Sequence, residues 1–195
     1  MAVTLKAPDS WEEEPQLSSP TTRPRIRVTE KGVVVDGVEY AAMNPSPVVD
    51  TVRGTGRIVL LFKKLECSEW EIAQGHGVMR TFVIVSDDHG QSWHGERDIT
   101  EQVHRPQPPD NWRIQVPTLG HAIQLRGVPD RPATHGRLLY IGSRTLAGDS
   151  VFGGMNYAFW SDDLGERWQI GDFITERWDG TPARGLNEAT AVELS

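Results

Sequence analysis

Two copies of one eight-residue pattern constrain this chain more than any other feature. Ser86-Asp87-Asp88-His89-Gly90-Gln91-Ser92-Trp93 recurs 75 residues later as Ser161-Asp162-Asp163-Leu164-Gly165-Glu166-Arg167-Trp168, and both fit S-x-D-x-G-x-x-W. Each copy follows an apolar run, Thr81 to Val85 in the first case and Tyr157 to Trp160 in the second. The third-position aspartate can turn its carboxylate back onto backbone N–H groups of a turn, and the glycine two residues on supplies positive φ without a Cβ clash. The tryptophan then opens a return strand and covers the apolar side of the turn, its indole N–H needing a partner. The serine can hydrogen-bond locally. A pattern repeated in equivalent settings marks repeated supersecondary units. The spacing therefore predicts strand-turn-strand devices within a fold of repeated β-hairpins.

The rest of the chain reads in the same way. Val33-Val34-Val35 and Val38-Glu39-Tyr40 flank Asp36-Gly37, the pair that a type I′ hairpin demands. Further strands are predicted over residues 57–63, 79–86, 122–125, 137–141, 156–161 and 189–194. Glycine or proline interrupts nearly every longer window, so no helical period of about 11 residues or more survives, and the fold class is all-β. His104 to Asn111 carries Pro106, Pro108 and Pro109, which cannot donate to a ladder, and forms an irregular connection between two halves. Residues 1–31 hold four prolines and the Glu12-Glu13-Glu14 run. Such a segment buries too little to offset its ordering entropy and is expected to be an irregular lead-in, with the blades in 32–195.

Composition narrows the function classes. With 27 acidic against 20 basic side chains, a net charge of -7 and scattered positives, nucleic acid is not an expected partner. Cys67 is the single cysteine, which removes disulfide frameworks and cysteine zinc sites. The longest apolar stretch, Ile58 to Phe62, is far short of the roughly 20 residues that cross a bilayer. No basic head with an apolar core opens the chain, so as written it is expected to be cytoplasmic, an expectation that a start further upstream would change. The six histidines show no ligand spacing and no phosphate-cradling loop appears, so neither metal nor cofactor is expected.

The two repeats resemble the Asp-box, or BNR repeat, of sialidases and other β-propellers, where it pins turns on the outer edge of blades. Ser86, Asp88, Gly90, Trp93 and Ser161, Asp163, Gly165, Trp168 are structural on that reading. Other segments narrow the resemblance. Met43-Asn44-Pro45-Ser46-Pro47-Val48-Val49-Asp50, followed by Thr55-Gly56-Arg57-Ile58-Val59-Leu60-Leu61-Phe62, resembles the sialidase N-P-x-P-V-x-D turn and T-G-x-I-x-L-x-F strand. Gly120-His121-Ala122-Ile123-Gln124-Leu125, then Gly136-Arg137-Leu138-Leu139, resembles the G-H-G-I-Q-L stretch and the next G-R-L strand. Asn187-Glu188-Ala189-Thr190-Ala191-Val192-Glu193-Leu194 is similar to N-E-x-x-x-V-E-L. The segments keep the family's order, and the resemblance implies a six-bladed propeller. At roughly 40–45 residues per blade the length suits about four. The chain is therefore expected to hold an incomplete set of blades, from the middle of an exo-α-sialidase catalytic domain.

The activity this resemblance implies is release of terminal sialic acids from glycoconjugates, with a sialylated glycan as partner. The anomeric carbon of that sugar bears a carboxylate, and sialidases use a tyrosine nucleophile in place of the usual carboxylate. The resemblance also implies three arginines on the substrate carboxylate, an acid/base aspartate, and a glutamate that deprotonates the tyrosine. Glu188 matches that glutamate and would be the general base. The other parts find no match. Arg25-Ile26-Arg27 lacks the proline of the family's R-I-P motif, and Tyr40, Tyr140 and Tyr157 precede the expected tyrosine position and read as packed strand residues. Met43 and Asn44 match a segment lining the sugar pocket, and Glu69 or Glu71 falls near a sugar-contacting glutamate. For each, the plainer reading, a core methionine or a solvated carboxylate, is preferred. Val116 to His121 departs from the family's G-P-G-H loop, and Ile141-Gly142-Ser143 stands where the family often presents tyrosines. The alternative from another class is a non-catalytic Asp-box propeller that binds glycan or protein, with Glu188 a strand residue.

Overall fold

A computed structural model of the chain describes residues 26–29, 32–35, 38–106, 110–117, 120–127, 134–146, 154–177, 179–183 and 188–194. Its first sheet contains β1 (Ile26–Thr29), β2 (Gly32–Val35), β3 (Val38–Val49), β4 (Ile58–Leu65), β5 (Met79–Ser86) and β6 (His94–Asp98) in that spatial order. The second sheet has the order β11-β10-β9-β7, from β7 (Trp112–Pro117), β9 (Leu138–Leu146), β10 (Met155–Ser161) and β11 (Gln169–Phe173). The short β8 (Ile123–Gln124) pairs with the start of β9 and continues the line of β7. The all-β expectation holds. Two helices, α1 (Glu69–Ala73) and α2 (Thr100–Val103), are too short to register in a helix-length window.

The two sheets are built on one register. Ile58 pairs with Ser86 in β4/β5, and Leu138 pairs with Ser161 in β9/β10, so the first box serine faces the first strand residue in both. Counting inward, Val59 corresponds to Leu139, Leu60 to Tyr140, Leu61 to Ile141, Val83 to Ala158, Ile84 to Phe159 and Val85 to Trp160. Burial then separates the faces. In the first sheet Val59, Leu61, Val83 and Val85 are buried, whereas in the second the buried set is Leu138, Tyr140, Tyr157 and Phe159. Equivalent sheets thus meet through opposite faces, as blades stacked in one direction do, and together they form one core cluster. The Tyr140 hydroxyl donates to the Val59 carbonyl at 3.2 Å across that junction. Each fully buried large apolar side chain there contributes roughly 1.5–3 kcal/mol.

Several expectations are corrected. Two blade sheets, rather than about four, are formed by the described residues, because each sheet with its connections takes 75–80 residues of chain. The N-P-S-P segment is not a turn but part of β3. Asn44 and Pro45 sit in a bulge between the Met43–Lys63 and Ser46–Leu61 pairs, which spares Pro45 a ladder bond. Asn44 takes φ 54°, a left-handed conformation that asparagine tolerates. Residues 189–194 form no strand. The expected lead-in over 1–31 lies outside the described residues except for Ile26–Thr29, which pair with β2.

Candidate active site

The two boxes close their turns with the same bonds. Ser86 Oγ accepts from Gly90 N at 2.8 Å, and Asp88 Oδ1 accepts from Ser86 Oγ and Ser92 N, both at 2.8 Å. Ser161 Oγ accepts from Gly165 N at 2.8 Å, and Asp163 Oδ1 accepts from Ser161 Oγ at 2.9 Å and Arg167 N at 2.8 Å. The glycines have φ of 86° and 94°, and the preceding His89 and Leu164 are left-handed too, at 61° and 57°. An unforeseen member completes each box: Arg57 grips Asp87, and Arg137 grips Asp162, each through two bonds of 2.7 and 2.9 Å.

The candidate sugar-contacting residues gather at the other end of the sheet. Met43 is 37% exposed midway along β3 and pairs with Lys63, which pairs with Thr81. Lys63 is fully buried, and its Nζ lies 2.9 Å from Glu69 Oε1 at the start of α1. Burial pulls this ammonium down to about 8, against the opposing pull of Glu69. Glu69 is therefore an anchored carboxylate, and Asn44 Oδ1 is buried with no hydrogen-bond partner among the described residues. Glu71 serves the helix instead. Its carboxylate accepts from Ser68 N and Ser68 Oγ in a capping box, and the Ser68 side-chain bond lowers its pKa.

Behind this end lies a polar seam between the sheets. Thr81 Oγ1 donates to Gln115 Oε1 at 2.5 Å, and the His104 ring shares a 3.1 Å bond with the Trp112 carbonyl. Burial drives His104 down to about 4, with Lys63 adding to the fall, so the ring is neutral and Nε2 donates. The Tyr157 hydroxyl donates to the Val103 carbonyl at 2.8 Å. Burial raises the pKa of both Tyr140 and Tyr157, which are packed in the core as the sequence suggested. Tyr40 lies in β3.

Glu188 is exposed, at the start of the non-strand segment 188–194. That segment runs beside residues 121–127, where Glu193 accepts from Arg126 N at 2.9 Å and Gly127 N at 3.0 Å. Here a side-chain carboxylate, not a strand carbonyl, takes these two backbone donors. Val192 and Leu194 remain 77% and 81% exposed over a cleft of about 700 Å³ lined by His121, Ile123 and Gln124. Among the described residues no hydrogen bond or ion pair links Glu188 to Met43, Asn44, Glu69 or Glu71. Asn187 lies outside the described residues. The same residues contain no group of three or more potential metal ligands, and none of their helices is long and apolar enough to cross a membrane.

Two of the sequence segments lock each other. Gln124 Nε2 donates to Asp50 Oδ1 at 2.5 Å, while Gln124 Oε1 accepts from the backbone N–H of Thr51 and Val52 at 2.7 and 2.9 Å. Burial pushes Asp50 up, but bonds from Thr55, Gln124 and the turn backbone outweigh it and lower the pKa. The aspartate and glutamine of these motifs hold the fold together.

Two sheets built on one register, each with an Asp-box between its last two strands, define a segment of a β-propeller. The chain's similarities to curated sialidases support a sialidase-family domain. It is 29% identical over 150 residues to sialidase-3 of Rattus norvegicus, covering 72% of this chain and 33% of that protein. Against sialidase-4 of Homo sapiens it is 32% identical over 147 residues, covering 70% and 28%. The chain thus spans about a third or less of these relatives. No profile of a known protein family matches it. Among solved structures, the Hadza microbial sialidase Hz136 superposes with a TM-score of 0.58 at 20% identity, covering 85% of this chain and 32% of that one. The Ruminococcus gnavus intramolecular trans-sialidase, solved with oseltamivir carboxylate, gives 0.52 at 10%, covering 71% and 45%. At such identities these two show the fold alone.

Proposed function

We propose that this chain supplies blades of an exo-α-sialidase, a glycoside hydrolase that releases terminal sialic acids from glycoconjugates. The observation that carries the reading is the relatedness to two mammalian sialidases at about 30% identity. In this reading Glu188 is the general base that takes the proton of a tyrosine hydroxyl, Met43 and Asn44 line the sugar pocket, and Glu69, fixed by Lys63, meets the sugar's polar groups. Glu71 is the weaker contact, since its carboxylate is committed to Ser68. The arginine clamp, the acid/base aspartate and the tyrosine nucleophile have no matched residue, so the 195-residue chain by itself hydrolyses sialosides negligibly. Its net charge of -7 without that clamp disfavours an anionic sugar.

A chimera tests this. With the present chain in place of the matched segment of sialidase-4 of Homo sapiens, a fluorogenic sialoside is hydrolysed, and Glu188→Gln lowers kcat by about 10²–10⁴-fold. A folded but inactive chimera, or one indifferent to Glu188→Gln, sinks the catalytic reading. The second reading is a non-catalytic propeller that binds glycan or protein; saturable sialic-acid binding by an inactive chimera would support it.

A further inference from the structure

Lys63 is out of place in its own strand. It alternates along β4 with Val59, Leu61 and Leu65, on the face that packs toward the second sheet, and like them it is buried. A lysine is almost never buried this far unless it is paired. Two groups meet its Nζ: Glu69 Oε1 from α1 at 2.9 Å and Met79 Sδ from β5 at 3.4 Å. The pair is one-sided, because the Lys63 side chain is fully buried while that of Glu69 is 37% exposed.

The next residue offers a contrast. Lys64 is also buried, on the opposite face of the strand, but its Nζ lies 2.6 Å from Glu96 and over the rings of Phe82 and Phe62, at 4.2 and 5.7 Å. Cation–π attraction supports its ion pair there. Lys63 has a thioether in that place, so its ammonium depends on one carboxylate that can turn to solvent. The other charged and titratable groups around it do not replace Glu69. On α1, Glu71 is committed to Ser68. Arg113 of β7 lies beside Gly75, past the end of α1, and His104, after α2, is neutral and bonded to the Trp112 carbonyl. Arg80 of β5 is on the Lys64 face and pairs with Asp98, and β3 sets the uncharged Met43 opposite Lys63.

We propose that Lys63 is a titrating latch on Glu69, a positioning residue whose ammonium form holds the carboxylate against β4 and whose neutral amine releases it to water. Burial disfavours the charged form, so the amine is the form that an apolar strand face accepts. Helix α1 stays docked in either state, because Ile72 and Ala73 hold it to Leu65, Met79, Ile114 and Val116. The latched pair is neutral as a whole, whereas release leaves one uncompensated negative charge on α1. That charge weakens the binding of an anionic sugar, a consequence that rests on Glu69 lying at the sugar site as proposed above; the latch itself does not rest on it.

Nuclear magnetic resonance of the 195-residue chain tests the latch. The chain has four lysines, so ¹³C-lysine labelling gives a sparse spectrum in which Lys63→Met assigns Lys63 Cε. Should that variant not fold, Lys6→Arg, Lys31→Arg and Lys64→Met assign it by elimination. On titration from about pH 6 to about 11, Lys63 has a midpoint of about 8, against about 10.4 for a free lysine, and the carboxyl ¹³C of Glu69, assigned with Glu69→Gln, moves at the same pH. Glu69→Gln lowers the Lys63 midpoint by about one pH unit or more, since an opposite charge this close supports the ammonium. A Lys63 midpoint above about 10, a Glu69 carboxyl that stays still while Lys63 titrates, or a midpoint indifferent to Glu69→Gln overturns the proposal. In the chimera the latch makes KM for the sialoside rise about three- to tenfold between about pH 7 and 9, and Lys63→Met removes that pH dependence from KM and not from kcat. A latch seen by magnetic resonance with a KM indifferent to Lys63→Met takes Glu69 out of the sugar site and leaves the latch standing.

Discussion

The two Asp-boxes form the same turn with the same bonds, yet one tryptophan is buried and the other is not. Trp168 lies against Tyr140 and Phe159, with ring centroids 5.3 and 5.8 Å away, and donates its indole N–H to Gly165 O at 3.0 Å. Above it the first sheet reaches over, with Arg97 donating to Gly165 O at 2.8 Å and pairing with Glu166. Trp93 has the matching box, but among the described residues no second sheet packs over it, and it is 39% exposed. The turn chemistry is therefore self-contained, closed by serine, aspartate and glycine. What differs is whether the tryptophan becomes part of a core, and that depends on a neighbouring blade.

Truncating the tryptophans should show the largest contrast. Trp168→Ala costs about 3–5 kcal/mol, the range for deleting a buried aromatic side chain, while Trp93→Ala stays within about 1 kcal/mol. Urea denaturation measures both, and equal losses would break the comparison. The glycines come next. Alanine at either box glycine meets a left-handed backbone, worth about 1–2 kcal/mol, but Gly165→Ala adds the approach to Val59, for about 1–3 kcal/mol more. Thermal melts should rank Gly165→Ala well below Gly90→Ala; the reverse order would mean that the first sheet yields freely.

Acid should affect both boxes least and most similarly. Hydrogen bonds from the Ser92 side chain, then its backbone N–H and Ser86, hold Asp88 at about 2. Burial raises Asp163, but the bonds from Arg167 and Ser161 overcome it and the net shift is also downward. A carboxyl whose folded pKa is depressed gives its stabilisation in full above the unfolded value of about 3.9 and loses it as pH falls through the folded value. The urea midpoint of the wild type should thus fall between pH 4 and about 2, and Asp88→Asn should flatten that fall. An unchanged slope would remove the carboxylate from the turn's energetics.

Legibility in the sequence followed the range of the interactions. The box turns and the strands leading into them were readable because their determinants lie within eight residues, and β5 was bounded correctly. The arginine that grips each box, Arg57 or Arg137, sits just before another strand, 30 or 25 residues away respectively, so no local pattern announces it. Asn44-Pro45 read as a turn because a bulge uses the same residue types, and only pairing with β4 distinguishes the two. The capping box Ser68-x-x-Glu71 went unread in the sequence, because its five-residue helix falls below the window for periodicity. At the candidate site, Lys63 sits in an apolar strand pattern, and its ion pair with Glu69 depends on tertiary placement. Glu193 was read as part of a strand, because nothing in N-E-x-x-x-V-E-L shows that its carboxylate takes the backbone donors of Arg126 and Gly127.

The central claim, that one turn device acquires two energetic roles according to what packs over it, is met most directly by solvent exchange of the two indole N–H groups. The wild-type chain, ¹⁵N-labelled at tryptophan and assigned with Trp93→Phe and Trp168→Phe, gives both signals from one sample. The account predicts slow exchange for Trp168, buried and bonded to Gly165 O, and fast exchange for Trp93. Equal protection of the two would contradict it.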